Sequence, residues 1–460
     1  MKTVFFTLYQ THVFRNVFLQ EGSVLDRLSR DDRLKLVIVT SPGIAEVISR
    51  DHRSKIGGRT AVEVIKIRRP QKFLERLFYF FYSYLIFTGT TKMLATYGVR
   101  VDAPPAGGNM ALAFLKRAIA GTFGRFRWIK TRLTPWLFFK IFSERPYQST
   151  FERHKPDLVF ISSIAEFPDI EMLAEAKKRG IKTLGMAANW DHLNKYFIPL
   201  QSDLLLVQNE PMAKEAVALQ GYRAGQVKLV GFPQFDLYGS LKDYTDPRKV
   251  FLRRLSLPED AKLIYFITGA AHYLGEPDIV RETLRWLQEN SLGAKSFLMI
   301  RTYPGTTQER FREFYGHSRI VFDHPPALLT FEALRHFFNQ MRHADVVISI
   351  YSTTAIEAGI LDKPLIAIGF DGHAELPFMK SIRRAETMTH IRHILDTGSV
   401  RVVRSFDELF YDLKRYLGAP EIDREKRKQL VQKMCYKIDG AASERIANFI
   451  LEEISSQAAI

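Results

Sequence analysis

The sequence predicts an α/β protein built from two doubly wound domains. Three observations predict it. Short apolar runs of strand length recur along all 460 residues, with helical stretches between them. Most of these runs lack alternation, as expected of parallel strands covered on both faces. The series divides once, at the charged stretch 242–258 that contains Pro247 and Pro258, and two successive β/α series imply two such domains.

The first series comprises Val4–Leu8, Leu36–Thr40, Val62–Ile67, Leu158–Ser162, Thr183–Ala187, Leu204–Gln208 and Val227–Val230. The second comprises Leu263–Thr268, Ser296–Arg301, Ile320–Asp323, Val346–Ile350, Leu365–Gly369 and Val400–Arg404. The expected organisation is a first domain over 1–241, a linker over 242–258, a second domain over 259–423 and a final segment 424–460. The final segment is expected to hold one helix, roughly Arg424–Ile454.

The most informative stretch is Ala344–Gly372, ADVVISIYSTTAIEAGILDKPLIAIGFDG. A strand leads into Ser352-Thr353-Thr354, which can cap a helix. The helix carries Glu357 in its first turn and stops at Lys363-Pro364 before the next strand. Such a helix start is expected to offer free N–H groups and hydroxyls to a phosphate. Glu357 is placed to accept hydrogen bonds from a ribose. Asp345, just before the strand, reads as a structural cap.

Composition narrows the function. With 66 Lys and Arg against 50 Asp and Glu the formal charge is +16, which favours an anionic partner. The lone Cys435 excludes an internal disulfide and reads as a packing residue. Met1-Lys2-Thr3 runs straight into a core strand, so no secretory leader is expected. No apolar run is long enough to span a bilayer. The expected location is cytoplasmic, peripheral on the inner face of the plasma membrane.

The charge is concentrated where the first series is interrupted, between Arg68 and Arg145. Between Asp102 and Glu144 seven basic residues occur with no acidic one: Lys116, Arg117, Arg125, Arg127, Lys130, Arg132 and Lys140. Phe114, Phe123, Phe126, Trp128, Trp136, Phe138 and Phe139 are interleaved with them, and Leu77–Phe87 upstream reads LFYFFYSYLIF. Aromatic residues beside basic ones suit a segment lying in the headgroup layer of an anionic membrane. The plainer reading is a set of amphipathic helices packed on the domain with a solvated basic face. No recognition motif accompanies the charge, so nucleic acid is not an expected partner.

In the second domain, Gly269 follows the strand ending at Thr268, where a glycine lets backbone approach a ligand. Arg301 ends the next strand, in IRTYP, and its fork can pair with a diphosphate. In the first domain, Ala187–Pro199 reads AANWDHLNKYFIP, with Asn189, Trp190 and Asp191 at its centre. Further on come Asn209-Glu210, Gly221-Tyr222 and Gly231-Phe232-Pro233-Gln234-Phe235-Asp236.

These pieces resemble, over most of residues 157–372, GT-B fold glycosyltransferases of bacterial surface polysaccharides and CDP-glycerol glycerophosphotransferase-like proteins. The matching features are N-W-D-x-L, G-x-P-x-F-D, and strand, S-T-T, x-x-E-A, K-P-L-I. His192 stands where asparagine is usual, and Tyr303 where the bacterial transferases carry histidine. The resemblance implies two Rossmann-like domains facing a central cleft, with the last helix crossing back onto the first domain and the second domain binding a nucleotide-sugar through Thr268, Gly269, Arg301, Ser352, Thr353, Thr354 and Glu357. Asn189, Trp190 and Asp236 would line the cleft. It also implies transfer without a metal or a cofactor, the nucleotide-sugar being a substrate.

Proton removal from an acceptor hydroxyl needs a base. The candidates are His12 after the first strand, then Asp191, then Glu166; Glu166 and Asp169 both follow the fourth strand. The leading expectation is a hexosyltransferase-like enzyme moving a sugar to a lipid-linked or cell-surface glycan acceptor. The alternatives are a CDP-glycerol-type polyol phosphotransferase, a UDP-GlcNAc 2-epimerase-like enzyme and a non-enzymatic membrane-surface scaffold.

Overall fold

In a computed structural model, which describes residues 1–98, 109–240, 244–269, 273–303, 308–327 and 329–456, all the expected strands form two wholly parallel sheets. The first contains β1 (Lys2–Leu8), β2 (Leu34–Thr40), β3 (Thr60–Val64), β4 (Leu158–Ile161), β5 (Lys182–Met186), β6 (Leu204–Val207) and β7 (Val227–Leu229). Its order is β3-β2-β1-β4-β5-β6-β7. The second contains β8 (Lys262–Ile267), β9 (Ser296–Arg301), β10 (Ile320–Phe322), β11 (Val346–Ser349), β12 (Leu365–Ile368) and β13 (Val400–Val403), in the order β10-β9-β8-β11-β12-β13.

Strand order reverses direction between β1 and β4 in one sheet and between β8 and β11 in the other. The crevice at such a switch point, outside the carboxyl ends, is where α/β sheets of this kind bind ligands. The central strands are buried throughout: no residue from Val4 to Phe6, Leu158 to Ile161 or Val346 to Ile348 is exposed. Helices cover both faces, which is why these segments read as apolar runs without alternation.

Three boundaries differ from expectation. β3 ends at Val64, not Ile67, whose side chain is exposed beyond the last partner in β2. The described part of the linker is no open hinge: Arg248–Arg254 is a helix. Arg248 from it donates to Asp345 at 2.6 Å and to the carbonyls of His343 and Ala261, fixing it to the second domain. Asp345 also accepts from Lys262 and from the Leu263 N–H, so it clamps β8 to β11.

The expected last helix is two helices, Arg424–Cys435 and Ala442–Ser456. Tyr436 at φ 61° and Gly440 at φ 72° break the run between them, because left-handed backbone cannot continue a right-handed helix. The first of the pair packs on helix Thr354–Ile360, where Gly359 leaves room for Leu430. The second crosses to the first domain, where Arg27 pairs with Glu444 and Lys182 with Glu453.

The residues between 68 and 145 fold onto the first domain as short helices, including Phe73–Ser83, Ala113–Gly121 and Thr134–Ile141. Two of the seven basic residues expected on the surface are buried. Lys116 donates to the Ala95 carbonyl at 2.7 Å and lies over the Tyr84 ring, while Lys130 lies over Phe197. The other five are exposed. Among the described residues no helix is long and apolar enough to cross a membrane.

Candidate active site

The candidate residues of the second domain lie where strands β8, β9 and β11 end. Thr268 ties two loops together: its N–H donates to the Arg301 carbonyl and its Oγ1 accepts from the Tyr303 N–H, both at 2.9 Å. The Gly269 N–H donates to Glu276 at 2.6 Å. A Cβ at position 269 would stand 2.1 Å from Cδ1 of Ile350, so the close approach needs glycine unless Ile350 moves. Ala270, Ala271 and His272, which continue this loop, and Pro304-Gly305 after β9 lie outside the described residues.

Arg301 is held in place before any ligand arrives. It pairs with buried Asp323 at 2.8 Å and lies over the Phe337 ring, 4.8 Å from its centre. Asp323 also accepts from Tyr265 at 3.0 Å and contacts His336 at 2.5 Å. Burial would raise the Asp323 pKa, but His336 and Arg301 hold it below the usual carboxylate range. An arginine so oriented loses little freedom on meeting an anion.

The turn Ser352–Thr354 corrects one expectation. Thr353 is already helical, at φ −66°, and the first N–H groups are taken. Thr354 donates to Ser352 Oγ at 3.2 Å, Ala355 to the Ser352 carbonyl and Ile356 to the Thr353 carbonyl. The helix that follows, Thr354–Ile360, has only seven residues. What the turn presents is hydroxyl groups rather than a row of free amides. Glu357, half-buried one turn on, accepts from Tyr238 Oη at 3.2 Å. Burial lifts its pKa to about 6, against the pull of Arg15, Tyr238 and Arg301.

Arg15 and Tyr238 belong to the first domain, and nothing in the sequence reading singled them out. The signal for Arg15 was its spacing: it lies one turn after His12, where helix Thr11–Phe14 runs into the π-helical turn Arg15–Leu19. Burial lowers the Arg15 pKa and Glu357 opposes this, with Arg301 adding like-charge repulsion. Its guanidinium makes no hydrogen bond or ion pair among the described residues. Two guanidinium groups, one from each domain, therefore converge on the region of one carboxylate, and one of them is unengaged. Such a pair suits a polyanion.

The base candidates sit at the carboxyl ends of β1, β4 and β5. His12 and His192 face each other edge to face, ring centres 6.0 Å apart. Burial drives both imidazoles down to about 4, although Asp191 opposes it. His12 Nε2 and His192 Nδ1 are buried without a hydrogen-bond partner, so near neutrality each ring is uncharged and able to take a proton. Burial would raise Asp191, but His192, Lys195 and His390 around it keep its pKa below the usual value; Lys195 lies 3.5 Å away. Glu166 lines one cavity together with His192 and Lys195. Asp169, deeper, is fully buried with both oxygens unpartnered, and burial holds its pKa well above the usual range.

The three expected cleft residues have separate roles. Trp190 stacks on Phe232 with ring centres 4.2 Å apart and keeps its Nε1 buried and unpartnered. The Asn189 carbonyl accepts from the His192 N–H at 3.3 Å, shaping the turn that carries Asp191. Asp236 does not face the cleft: its carboxylate accepts from the N–H groups of Ala442 and Ser443 at 2.8 and 2.7 Å and so caps the last helix. Cys435 is fully buried, in keeping with a packing role.

A sequence model of CDP-Glycerol:Poly(glycerophosphate) glycerophosphotransferase matches residues 176–452, more than half of the chain. The chain belongs to this family. The match takes in Asp191, His192, Arg301 and the Ser352–Glu357 segment, and leaves His12, Arg15 and Glu166 upstream of it. No curated protein matches the chain.

Among solved structures, a putative UDP-N-acetylglucosamine 2-epimerase from Listeria monocytogenes aligns with a TM-score of 0.56 at 12% identity, over 99% of this chain and 98% of that one. The S. aureus MnaA–UDP structure aligns at 0.54 and 12% identity, over 99% and 97%. The UDP-GlcNAc 2-epimerase from Neisseria meningitidis bound to UDP-GlcNAc aligns at 0.53 and 14%, over 98% and 100%. These likenesses show the fold, which is GT-B: two Rossmann-like domains around a cleft. Family membership makes the chain a member of a transferase family, and that family is not one defined by hexosyl transfer.

Proposed function

We propose that the protein transfers a polyol phosphate, of the glycerol phosphate type, from a cytidine diphosphate-linked donor to a hydroxyl of a membrane-held acceptor. The observation that carries this reading is the convergence of Arg15 and Arg301, one from each domain, on the region of Glu357, inside a chain of the glycerophosphotransferase family. Two arginines suit a donor diphosphate, and the Glu357 carboxylate suits a ribose hydroxyl. The donor is a substrate, so no resident cofactor enters the reaction.

The chemistry is a displacement at phosphorus. The acceptor oxygen forms a bond to the donor's β-phosphorus as the bond from that phosphorus to the bridging oxygen breaks. CMP leaves with the bridging oxygen and the electron pair. The acceptor proton passes to His12, whose Nε2 is unpartnered, with Asp191 behind it to stabilise the imidazolium. Arg15 and Arg301 offset the charge that grows on the leaving phosphate.

The membrane part of the reading rests on exposure. Among the described residues, half of the large apolar side chains that are exposed lie between Phe73 and Trp136, among them Phe114 at 84% and Trp128 at 58%. Exposed Arg76, Arg117, Arg125, Arg127 and Arg132 stand among them. That mixture is what an anionic lipid surface binds.

Calorimetry with CDP, UDP, GDP and dTDP tests the donor reading. CDP is expected to bind with the highest affinity. Preference for UDP would favour the hexosyl alternative, and binding to none would favour a scaffold that has kept the fold.

A further inference from the structure

The proposed reaction needs a place for the acceptor, and one cavity, walled in part by residues upstream of the family match, fits it. It lies in the first domain beneath helix Phe73–Ser83 and measures about 190 Å³. Pockets that hold drug-sized ligands run to roughly 300–1,000 Å³, so this one admits a single small unit and not a nucleotide. Its walls include Tyr79, Tyr82, Glu166, His192, Lys195 and Tyr196.

Three features of the lining point to a ligand. The rings of Tyr79, Tyr82 and Tyr196 offer faces for C–H groups, and Tyr79 and Tyr82 are set edge to face at 5.3 Å. Glu166 and Lys195 supply an acceptor and a donor for hydroxyls. Tyr82 Oη and His192 Nδ1, both on residues less than 5% exposed, are buried without a hydrogen-bond partner. A buried polar atom left unpaired in the free protein is costly unless something completes it. Aromatic faces ringed by hydrogen-bonding groups match a polyhydroxylated unit.

The position matters as much as the lining. His192 belongs to this cavity and also faces His12. Lys195 belongs to it and reaches Asp191. The cavity therefore adjoins the group assigned to proton removal. In the other direction, helix Phe73–Ser83 contributes Tyr79 and Tyr82 to the wall, while Phe73, Leu74 and Leu77 on the same helix are exposed. One helix thus lines a polar-tipped cavity and presents an apolar edge to solvent.

We infer that this cavity holds the terminal polyhydroxylated unit, a sugar ring or a polyol, of an amphiphilic acceptor whose lipid lies along the exposed edge of helix Phe73–Ser83. The inference rests on the transfer reading proposed above, and it names the acceptor subsite. Saturation-transfer NMR on the full chain tests it with three probes: octyl β-D-glucoside, octyl glycerol phosphate and octyl phosphate. The first two distinguish a sugar from a polyol, and the third lacks both.

The wild type is expected to bind at least one of the first two with head-group protons more strongly saturated than the alkyl chain, and to bind octyl phosphate at least five-fold more weakly. Tyr79→Ala and Tyr196→Ala should each weaken head-group binding five-fold or more while CDP affinity stays within two-fold of wild type. Ala165→Trp, which narrows the cavity from its lining, should do the same if either tyrosine variant fails to fold. Equal binding of all three probes, or head-group binding unmoved in folded variants that still bind CDP, would overturn the inference. Loss of nucleotide binding by the wild type itself would instead count against the transfer reading.

Discussion

Tyr238, from the first domain, donates a 3.2 Å hydrogen bond to Glu357 in the second. The bond joins the two halves of the cleft at the carboxylate proposed to hold the ribose. Tyr238 is itself fixed by apolar packing, its ring edge-on to Phe338 at 5.2 Å. The charge state of Glu357 is therefore linked to a contact between the two domains.

That link predicts a pH dependence. Burial raises the Glu357 pKa to about 6 from an ordinary value of 4.5. The folded protein thus binds this proton more readily than the unfolded chain. The stability contribution is fully present below pH 4.5 and is lost as pH rises through about 6. Ligand binding runs the other way, because a ribose hydroxyl needs the carboxylate. Affinity for CDP-glycerol, whose diphosphate has no group titrating in this range, should fall as pH drops below about 6. Calorimetry from pH 5 to 8 checks this, and Glu357→Gln should flatten the profile.

Arg15 makes no hydrogen bond or ion pair among the described residues, so its removal should cost the fold little and the ligand much. Arg15→Ala is expected to weaken CDP by ~1.5–3 kcal/mol, the range for a hydrogen bond to a charged group, and CMP by less. Melting temperature should stay close to wild type. Arg301→Ala should weaken CDP similarly but also destabilise the protein, because buried Asp323 loses its guanidinium partner. Calorimetry and thermal melts separate the two.

His12 and His192 both carry pKa values of about 4, so neither should produce a limb near pH 6.5 in the rate profile of the free enzyme. His12→Ala should lower kcat by roughly 10²–10⁴, the usual contribution of a general base, with CDP affinity unchanged. A larger loss in His192→Ala than in His12→Ala would move the base assignment to His192.

Asp236 caps the helix Ala442–Ser456 through two backbone N–H groups. Asp236→Ala should cost about 0.5–2 kcal/mol of stability, the range for losing a cap, read as a lower denaturation midpoint. At low temperature, nucleotide affinity should be unaltered, since Asp236 does not reach the cleft.

Much of this architecture was legible because parallel strands buried on both faces leave a local signature: short, β-branched, apolar and unalternating, as in Val346–Ser349. The placement of Thr268, Arg301 and Ser352 together was legible for a related reason, since each follows or ends a strand at the carboxyl edge of one parallel sheet. What the sequence concealed was non-local. Tyr238 meets Glu357 from 119 positions away. Lys116 looked like surface charge because burial of an unpaired ammonium is costly, but the Ala95 carbonyl and the Tyr84 ring receive it. Asp236 looked like a cleft residue because its motif sits at the domain junction, yet its partners come from the far end of the chain. The break at Tyr436 left no proline or glycine at the residue that turns.

The measurement that bears most directly on the transfer reading is the identity of the nucleotide released. With CDP-glycerol and octyl glycerol phosphate, phosphorus NMR and mass spectrometry should find CMP, together with acceptor extended by one glycerol phosphate. Arg15→Ala should release it more slowly. Release of a nucleoside diphosphate from a sugar donor, with a sugar added to the acceptor and CDP-glycerol left intact, would contradict displacement at phosphorus.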